Sequence, residues 1–260
     1  MLVAQDAGQY RFLPGIEPYS AGVVAGPGTE IVHATLAAPV PWRAGFAQIE
    51  RHLERLGRPR AALCAVQLRL PAPLPFEGFV DFNRGYRALL SDWGLLVDGQ
   101  NPIARTNVVP VVGAPAEASL YAFSYTVPAA PGTPATFVVA GSGELRPGFM
   151  SADGIVRRGE VSAEALRDKA AYVMGVMEER LAGLGMSWAG VSAVSIYTPH
   201  PIEPFAVDTV LRPMGPAAVH GLRWFPSRPP IRGLEYEMDA RGVCREIRLG
   251  GNGATIPATS

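Results

Sequence analysis

Residues 56–71, LGRPRAALCAVQLRLP, and residues 184–199, LGMSWAGVSAVSIYTP, carry one pattern twice. Leu, Gly, Ala, Ala-Val and Pro recur at a constant offset of 128 (184 minus 56), and a fixed internal offset is the mark of a duplicated structural unit. Each stretch follows an amphipathic pattern: Phe46, Ile49, Leu53 and Leu56 in the first half, and Leu166, Ala170, Val173, Met177, Leu181 and Leu184 in the second. Spacings of three and four place each set on one helix face. Gly57 and Gly185 stand just past the last apolar residue, where a left-handed cap ends a helix. Helix, stop and following strand are therefore repeated together.

The repeat extends both ways. EIVHATLAAP (30–39) and TFVVAGSGEL (136–145) read as buried strands leading towards those helices. Downstream, DFNRGYRALLSDWG (81–94) predicts a second helix, with FAVDTVLRPMG (205–215) as its shorter counterpart. The halves close on strands in SLYAFSYTV (119–127) and GLEYEMDA (233–240), where Leu120 and Leu234 align at an offset of 114 (234 minus 120). PAAPGTPAT (128–136) is a Pro/Gly-rich separator of the kind found between domains. The expectation is an α/β (α+β) chain of two tandem β-β-α-β-α-β-β modules, 1–128 and 129–260, each a mixed sheet with two helices on one face.

Composition narrows the chemistry. A net charge of zero and a pI near 6.9 argue against nucleic acid or an anionic membrane as partner, since both need a basic excess. Cys64 and Cys244 lack the spacing of a zinc site, and the histidines at 33, 52, 200 and 220 form no metal-binding motif. No metal and no cofactor are expected. All but one of the 23 basic residues are arginine, so a Schiff-base enzyme would have to use Lys169, which the helix pattern places on a surface-packed element. No apolar run reaches the roughly 18 residues of a membrane span, and the N-terminus lacks a signal-peptide pattern, so the cytoplasm is the default location.

Several motifs resemble those of the RidA (YjgF) family. EPYSAGVVAGPGTEIVHATLAAP (17–39) is similar to that family's opening G-P-Y-S-x-A strand, DFNRGYRALL (81–90) to its second helix, and PIARTNVVPV (102–111) to its P-A-R-S-x-V-x-V strand. VVAGSGEL (138–145) stands where the family has its S-G-Q turn, and GLEYEMDA resembles its closing V-E-I-E-A strand. The resemblance spans about residues 16–239. It implies a chorismate-mutase-like fold, a homo-oligomer with a trimer favoured, and a small anionic metabolite as partner. The activity it implies is hydrolytic deamination of a carboxylated imine or enamine, 2-aminoacrylate-like or 2-aminomuconate-like. An arginine would clamp the carboxylate, and a glutamate would activate water.

Carried onto this chain, the resemblance puts Tyr19 at the motif tyrosine, Arg105 at the clamp and Glu235 at the glutamate, with Glu237 its competitor on the same strand face. Tyr19 and Glu235 are the candidate catalytic residues. Neither half is complete: Tyr121 occupies the glutamate position of the first, and the offset of 114 puts Val219 at the arginine position of the second. Thr35 and Leu36 also replace the Gly-Gln of the first turn. The arrangement suggests one composite pocket shared between the halves. Ser142 is a candidate donor from its turn, and Tyr121 a candidate contact. HGLRWFPSRPPIRG (220–233) offers Arg223 and Trp224 for ion pairing and stacking, against the alternative of a rigid surface loop. His33, in an apolar strand, reads first as a core histidine. Chorismatases, which resemble paired RidA-like domains, provide an alternative reading, with chorismate as substrate; a non-catalytic ligand-binding protein is another.

Overall fold

The computed structural model describes residues 1–250 and 255–256. Its strands and principal helices run β1 (Val3–Gln5), β2 (Tyr10–Leu13), β3 (Gly22–Ala25), β4 (Thr29–Pro41), α1 (Trp42–Arg55), β5 (Leu63–Arg69), α2 (Phe76–Asp92), β6 (Ala104–Pro110), β7 (Ser119–Pro128) and β8 (Phe137–Gly143). They continue with α3 (Ala163–Gly183), β9 (Ala193–Tyr197), β10 (Arg223–Phe225), β11 (Ser227–Arg228), β12 (Glu237–Gly242), β13 (Arg245–Leu249) and β14 (Thr255–Ile256). Both sheets are mixed and seven-stranded, ordered β11-β6-β5-β7-β4-β13-β14 and β1-β2-β3-β8-β12-β9-β10. The fold is of the mixed α/β class.

The duplicated segment is reproduced in detail. Gly57 and Gly185 take φ of 64° and 74°. After α1, the N–H of Gly57 donates to the Glu54 carbonyl at 2.9 Å and that of Arg58 to Leu53 at 2.8 Å. After α3, Gly185 donates to Ala182 at 2.9 Å and Met186 to Leu181 at 2.8 Å. Every donor and acceptor is displaced by 128, the same helix stop made twice. The apolar stripes do what their spacing requires. Phe46, Ile49 and Leu53 pack with Val66, Leu68 and Phe123 on one sheet; Leu166, Val173, Met177 and Leu181 pack with Val139, Val194 and Ile196 on the other. Only Leu56 is exposed among the stripe residues.

Between the sheets lies a third apolar layer that includes Phe12, Val23, Ile31, Cys64, Ala65, Ala104 and Ala140. Helices thus cover the outer faces of two sheets that pack face to face. Chain passage from β7 to β8 coincides with the Pro/Gly-rich separator, yet the sheets do not divide there. Strands β1 to β3 belong to the sheet of the second half, while β11, β13 and β14 belong to that of the first. Each half covers an edge of the other, which ties the halves together.

Two details differ from the sequence reading. The second half has a six-residue π-helical turn at Ala206–Leu211 and a short 3₁₀ segment at Gly215–His220 in place of a regular second helix; Pro213 and Pro216 in this stretch block a continuous α-helical ladder. The late strands also align differently. Gln67 lies opposite Ala122 and Thr106, and Ser195, its counterpart at the 128 offset, lies opposite Asp239 and Arg223. Both pairs give an offset of 117 (239 minus 122, 223 minus 106), three more than 114. The counterpart of Arg105 is therefore Leu222 and not Val219, which is 83% exposed. Among the described residues, no helix is long and apolar enough to cross a membrane.

Candidate active site

A cavity of about 610 Å³ opens where β6, the arginine-bearing strand of one sheet, approaches β8 and β12 of the other. Its walls combine apolar side chains, among them Leu13, Phe79, Ile231 and Leu234, with Tyr19, Arg105, Asn107, Ser142, Arg180 and Glu237.

Arg105 is 3% exposed. Strand β6 aims it at α2, where Nη2 donates to Asn83 Oδ1 at 2.6 Å. Its guanidinium carbon lies 4.6 Å from the Tyr86 ring centroid and 4.9 Å from that of Tyr19, within cation–π range. Nη1 has no hydrogen-bond partner, and among the described residues Arg105 forms no ion pair. Burial pulls its pKa down, opposed by Tyr86, Tyr19 and Glu237; a guanidinium nonetheless stays charged in a protein. A buried guanidinium with an unsatisfied N–H can pair with an anion, which would offset its desolvation cost.

Glu237, the first residue of β12, is 5% exposed. Burial, then the negative charges of Asp239 and Glu144, push its carboxyl well above the usual range, while Arg180 and Arg105 pull in the opposite direction. Burial and these like charges thus favour the protonated carboxyl over the ionised one. Arg180 reaches in from α3, its Nη1 donating to the carbonyls of Ala140 at 2.8 Å and Gly141 at 3.1 Å.

Gly141 makes this arrangement possible. A Cβ there would strike Glu237 Oε1 and the Thr106 side chain, so the missing side chain is the space the carboxyl occupies. Gly141→Ala is expected to displace Glu237 and lower turnover by at least about tenfold, because misplacing a reacting group by even 1 Å is costly. Steady-state kinetics beside Ser142→Ala, which leaves that space open, would check it; wild-type turnover in Gly141→Ala would refute it.

The structure gathers Tyr19, Arg105, Ser142 and the competitor Glu237 at this cavity and places Glu235, Tyr121, Arg223 and Trp224 elsewhere. Glu235 precedes the regular part of β12, so strand alternation does not reach it. Its N–H donates to Glu144 at 2.7 Å, and its carboxylate pairs with His200 at 2.8 Å and Arg228 at 2.6 Å. Tyr121 lies under the guanidinium of Arg69 at 3.9 Å. Arg223 pairs with Glu246 at 3.1 Å, and Trp224 donates to the Thr198 carbonyl at 3.0 Å. His33 is buried, with Nδ1 3.0 Å from Ser124 Oγ. Lys169, expected on a surface-packed helix, is completely buried against Glu144 and does not line the cavity. Arg180 and Asn107 were missed: one arginine among many on an amphipathic helix, and one asparagine in a strand, carry no local signal.

Comparison with known proteins finds relatives described as deaminases. A family model described as 2-aminomuconate deaminase CnbZ matches residues 2–247. A 2-amino-5-chloromuconate deaminase of Comamonas testosteroni is 42% identical over 255 residues, covering 95% of this chain and 98% of that protein. Among solved structures, a chorismatase aligns over 86% of this chain and 77% of its own at 14% identity, with a TM-score of 0.47. The YjgF gene product of E. coli covers 46% of this chain and 94% of its own at 16% identity, with a TM-score of 0.28. The RidA resemblance of the motifs is thus a distant one.

Proposed function

The chain belongs to the 2-aminomuconate deaminase CnbZ family, and on that premise we propose that it hydrolyses the enamine of a 2-aminomuconate-class dicarboxylate and releases ammonia. The observation that carries this reading is the single cavity in which Arg105, from the first half, and Glu237, from the second, stand together.

In the proposed reaction, the carboxylate beside the amine lies on Arg105, whose planar fork suits two parallel hydrogen bonds, and the far carboxylate turns to Arg180. Glu237 gives its proton to the enamine carbon, and the C–N bond becomes an iminium. Water adds to the iminium carbon, the one that bears nitrogen, and passes a proton to the Glu237 carboxylate. Glu237 gives that proton to the carbinolamine nitrogen, which leaves as ammonia, and the hydroxyl proton returns to the Glu237 carboxylate as the C–O bond becomes a carbonyl. One water is consumed and one ammonia released. The acid that starts this sequence must carry a proton, and burial, Asp239 and Glu144 raise the Glu237 carboxyl in that direction against the pull of Arg180 and Arg105. The apolar walls limit bulk water and strengthen the electrostatics of the bound dicarboxylate.

The direct test incubates the purified protein separately with 2-aminomuconate and with chorismate. Ammonia release from the first supports the reading; pyruvate release from chorismate, or no ammonia, would sink it. Among the described residues, no group of three or more His, Cys, Asp or Glu side chains is arranged to hold a metal ion, and Lys169 lies away from the cavity. Activity is therefore expected to survive prolonged chelation and borohydride added with substrate, as measured by the remaining ammonia-release rate. Inactivation by either treatment would contradict the proposed chemistry.

A further inference from the structure

The fully buried pair of Lys169 and Glu144 has no part in the reaction proposed above, yet it sits at the entrance to the strand that carries Glu237. Glu144 directly follows β8, whose last residue, Gly143, is the register partner of Glu237. Both of its carboxylate oxygens are used on backbone: Oε1 accepts from Glu235 N–H at 2.7 Å and Oε2 from Tyr236 N–H at 3.1 Å. Lys169, from α3, donates to Oε1 at 3.1 Å and to the Val156 carbonyl at 2.7 Å. Both side chains are 0% exposed. The same helix supplies Arg180 to the cavity.

We infer that Lys169 and Glu144 are positioning residues for the deamination: the pair locks the start of β12 so that the Glu237 carboxyl stands at the cavity wall, and it keeps a negative charge beside that carboxyl. Two arguments support this. A buried ion pair recovers its desolvation cost only with good geometry and is a weak source of stability compared with apolar packing, so its presence is better explained by what it orients. What it orients is specific: two consecutive amides immediately before Glu237, held by a carboxylate that is itself held by the helix bearing Arg180. Unlike Glu235, whose carboxylate pairs outside the cavity, Glu144 acts on Glu237 through backbone and charge and touches no substrate.

The charges facing Glu237 come from every element around it. Asp239 is on its own strand, Glu144 at the end of β8, Arg105 on β6, Arg180 on α3 and Tyr19 on the loop before β3; Tyr197 on β9 is its register partner. Burial raises the Glu237 carboxyl most, Asp239 and Glu144 raise it further, and Arg180 and Arg105 lower it. Removing the charge of Glu144 therefore makes Glu237 a stronger acid. Because Glu237 acts protonated, activity then fades at lower pH.

This inference rests on Glu237 being the proton donor, and the test separates the two claims. The experiment records kcat against pH for ammonia release from 2-aminomuconate with wild type, Glu144→Gln, Glu237→Gln and the double variant Glu144→Gln with Lys169→Met. The double variant retains an acceptor oxygen for one of the two strand N–H groups and strands no buried charge, so it is the one read if Glu144→Gln alone fails to fold. The alkaline limb is expected to move down by about half a pH unit to one unit in Glu144→Gln, the size of losing one nearby charge, and in the same direction but less far in the double variant, which also loses the opposite charge of Lys169. A thermal shift alone, with the limb in place, would make the pair merely structural and overturn the inference. If Glu237→Gln keeps wild-type turnover, the assignment of the acid fails first; if it is inactive while the limb of the Glu144 variant stays put, only the positioning role fails.

Discussion

Glu237→Gln is expected to lower kcat by about 10²- to 10⁴-fold, the range for losing a general acid, with KM changed only a few-fold. The amide keeps the volume of the side chain beside Gly141 and removes only its transferable proton, so the loss falls on the chemical step. In the wild type, the carboxyl is raised well above the ordinary glutamate range by burial, Asp239 and Glu144. Its protonated form therefore persists to higher pH than a free glutamate would allow, and kcat declines as pH rises through that elevated value. The variant should lose this alkaline limb together with its rate. Glu235→Gln is the contrasting control: its carboxylate is held by His200 and Arg228 outside the cavity, so kcat should stay close to wild type. A reversed pattern, with Glu235 essential and Glu237 dispensable, would refute the site described here.

Arg105→Ala is expected to cost about 2 to 5 kcal/mol in kcat/KM, the range for truncating one side of a buried charge pair, and most of that should appear as raised KM. Arg105→Lys should recover little, since a point charge cannot make the two parallel hydrogen bonds of a planar fork. A second measurement distinguishes a binding arginine from a structural one. Arg105 is buried with Nη1 unsatisfied and forms no ion pair among the described residues, so Arg105→Met, which keeps much of the stem, removes an uncompensated charge. Its melting temperature should equal or exceed that of the wild type even as substrate binding collapses, the usual exchange of stability for function at a prepared site. A steep fall in melting temperature would show that Arg105 chiefly holds α2 to the sheet through Asn83 and the surrounding rings. Combined with Glu237→Gln, Arg105→Ala should give a non-additive loss, because both groups serve one bound molecule.

What was legible in the sequence follows from the range of the forces involved. Helix stripes such as Phe46, Ile49 and Leu53, the caps at Gly57 and Gly185, and the Pro/Gly-rich stretch before β8 are local matters of period and backbone preference; the repeat made them visible twice. Arg105 and Tyr19 were legible because short motifs surround them. The sequence paired Arg105 of the first half with Glu235 of the second; the structure instead lines one cavity with Arg105 and Glu237.

Which carboxyl, and in which company, was decided only by tertiary structure. Glu235 and Glu237 are two residues apart and equivalent by alternation. They part because the Glu144 carboxylate captures the N–H groups of Glu235 and Tyr236 before the strand begins, a contact made across some ninety residues. The three-residue slip in the late strands has the same origin: register depends on bulges and partner strands, here with irregularities between Met238 and Ala240 and between Gln67 and Leu68. The exchange of terminal strands between sheets and the arrival of Arg180 at Gly141 likewise depend on how faces meet. The chain by itself determined periods, caps, the duplication and the chemical types available, because those are set within a few residues. Long-range hydrogen bonds and the packing of one half on the other determined which acid is buried beside which arginine, because burial and neighbouring charge exist only once the sheets have closed on each other.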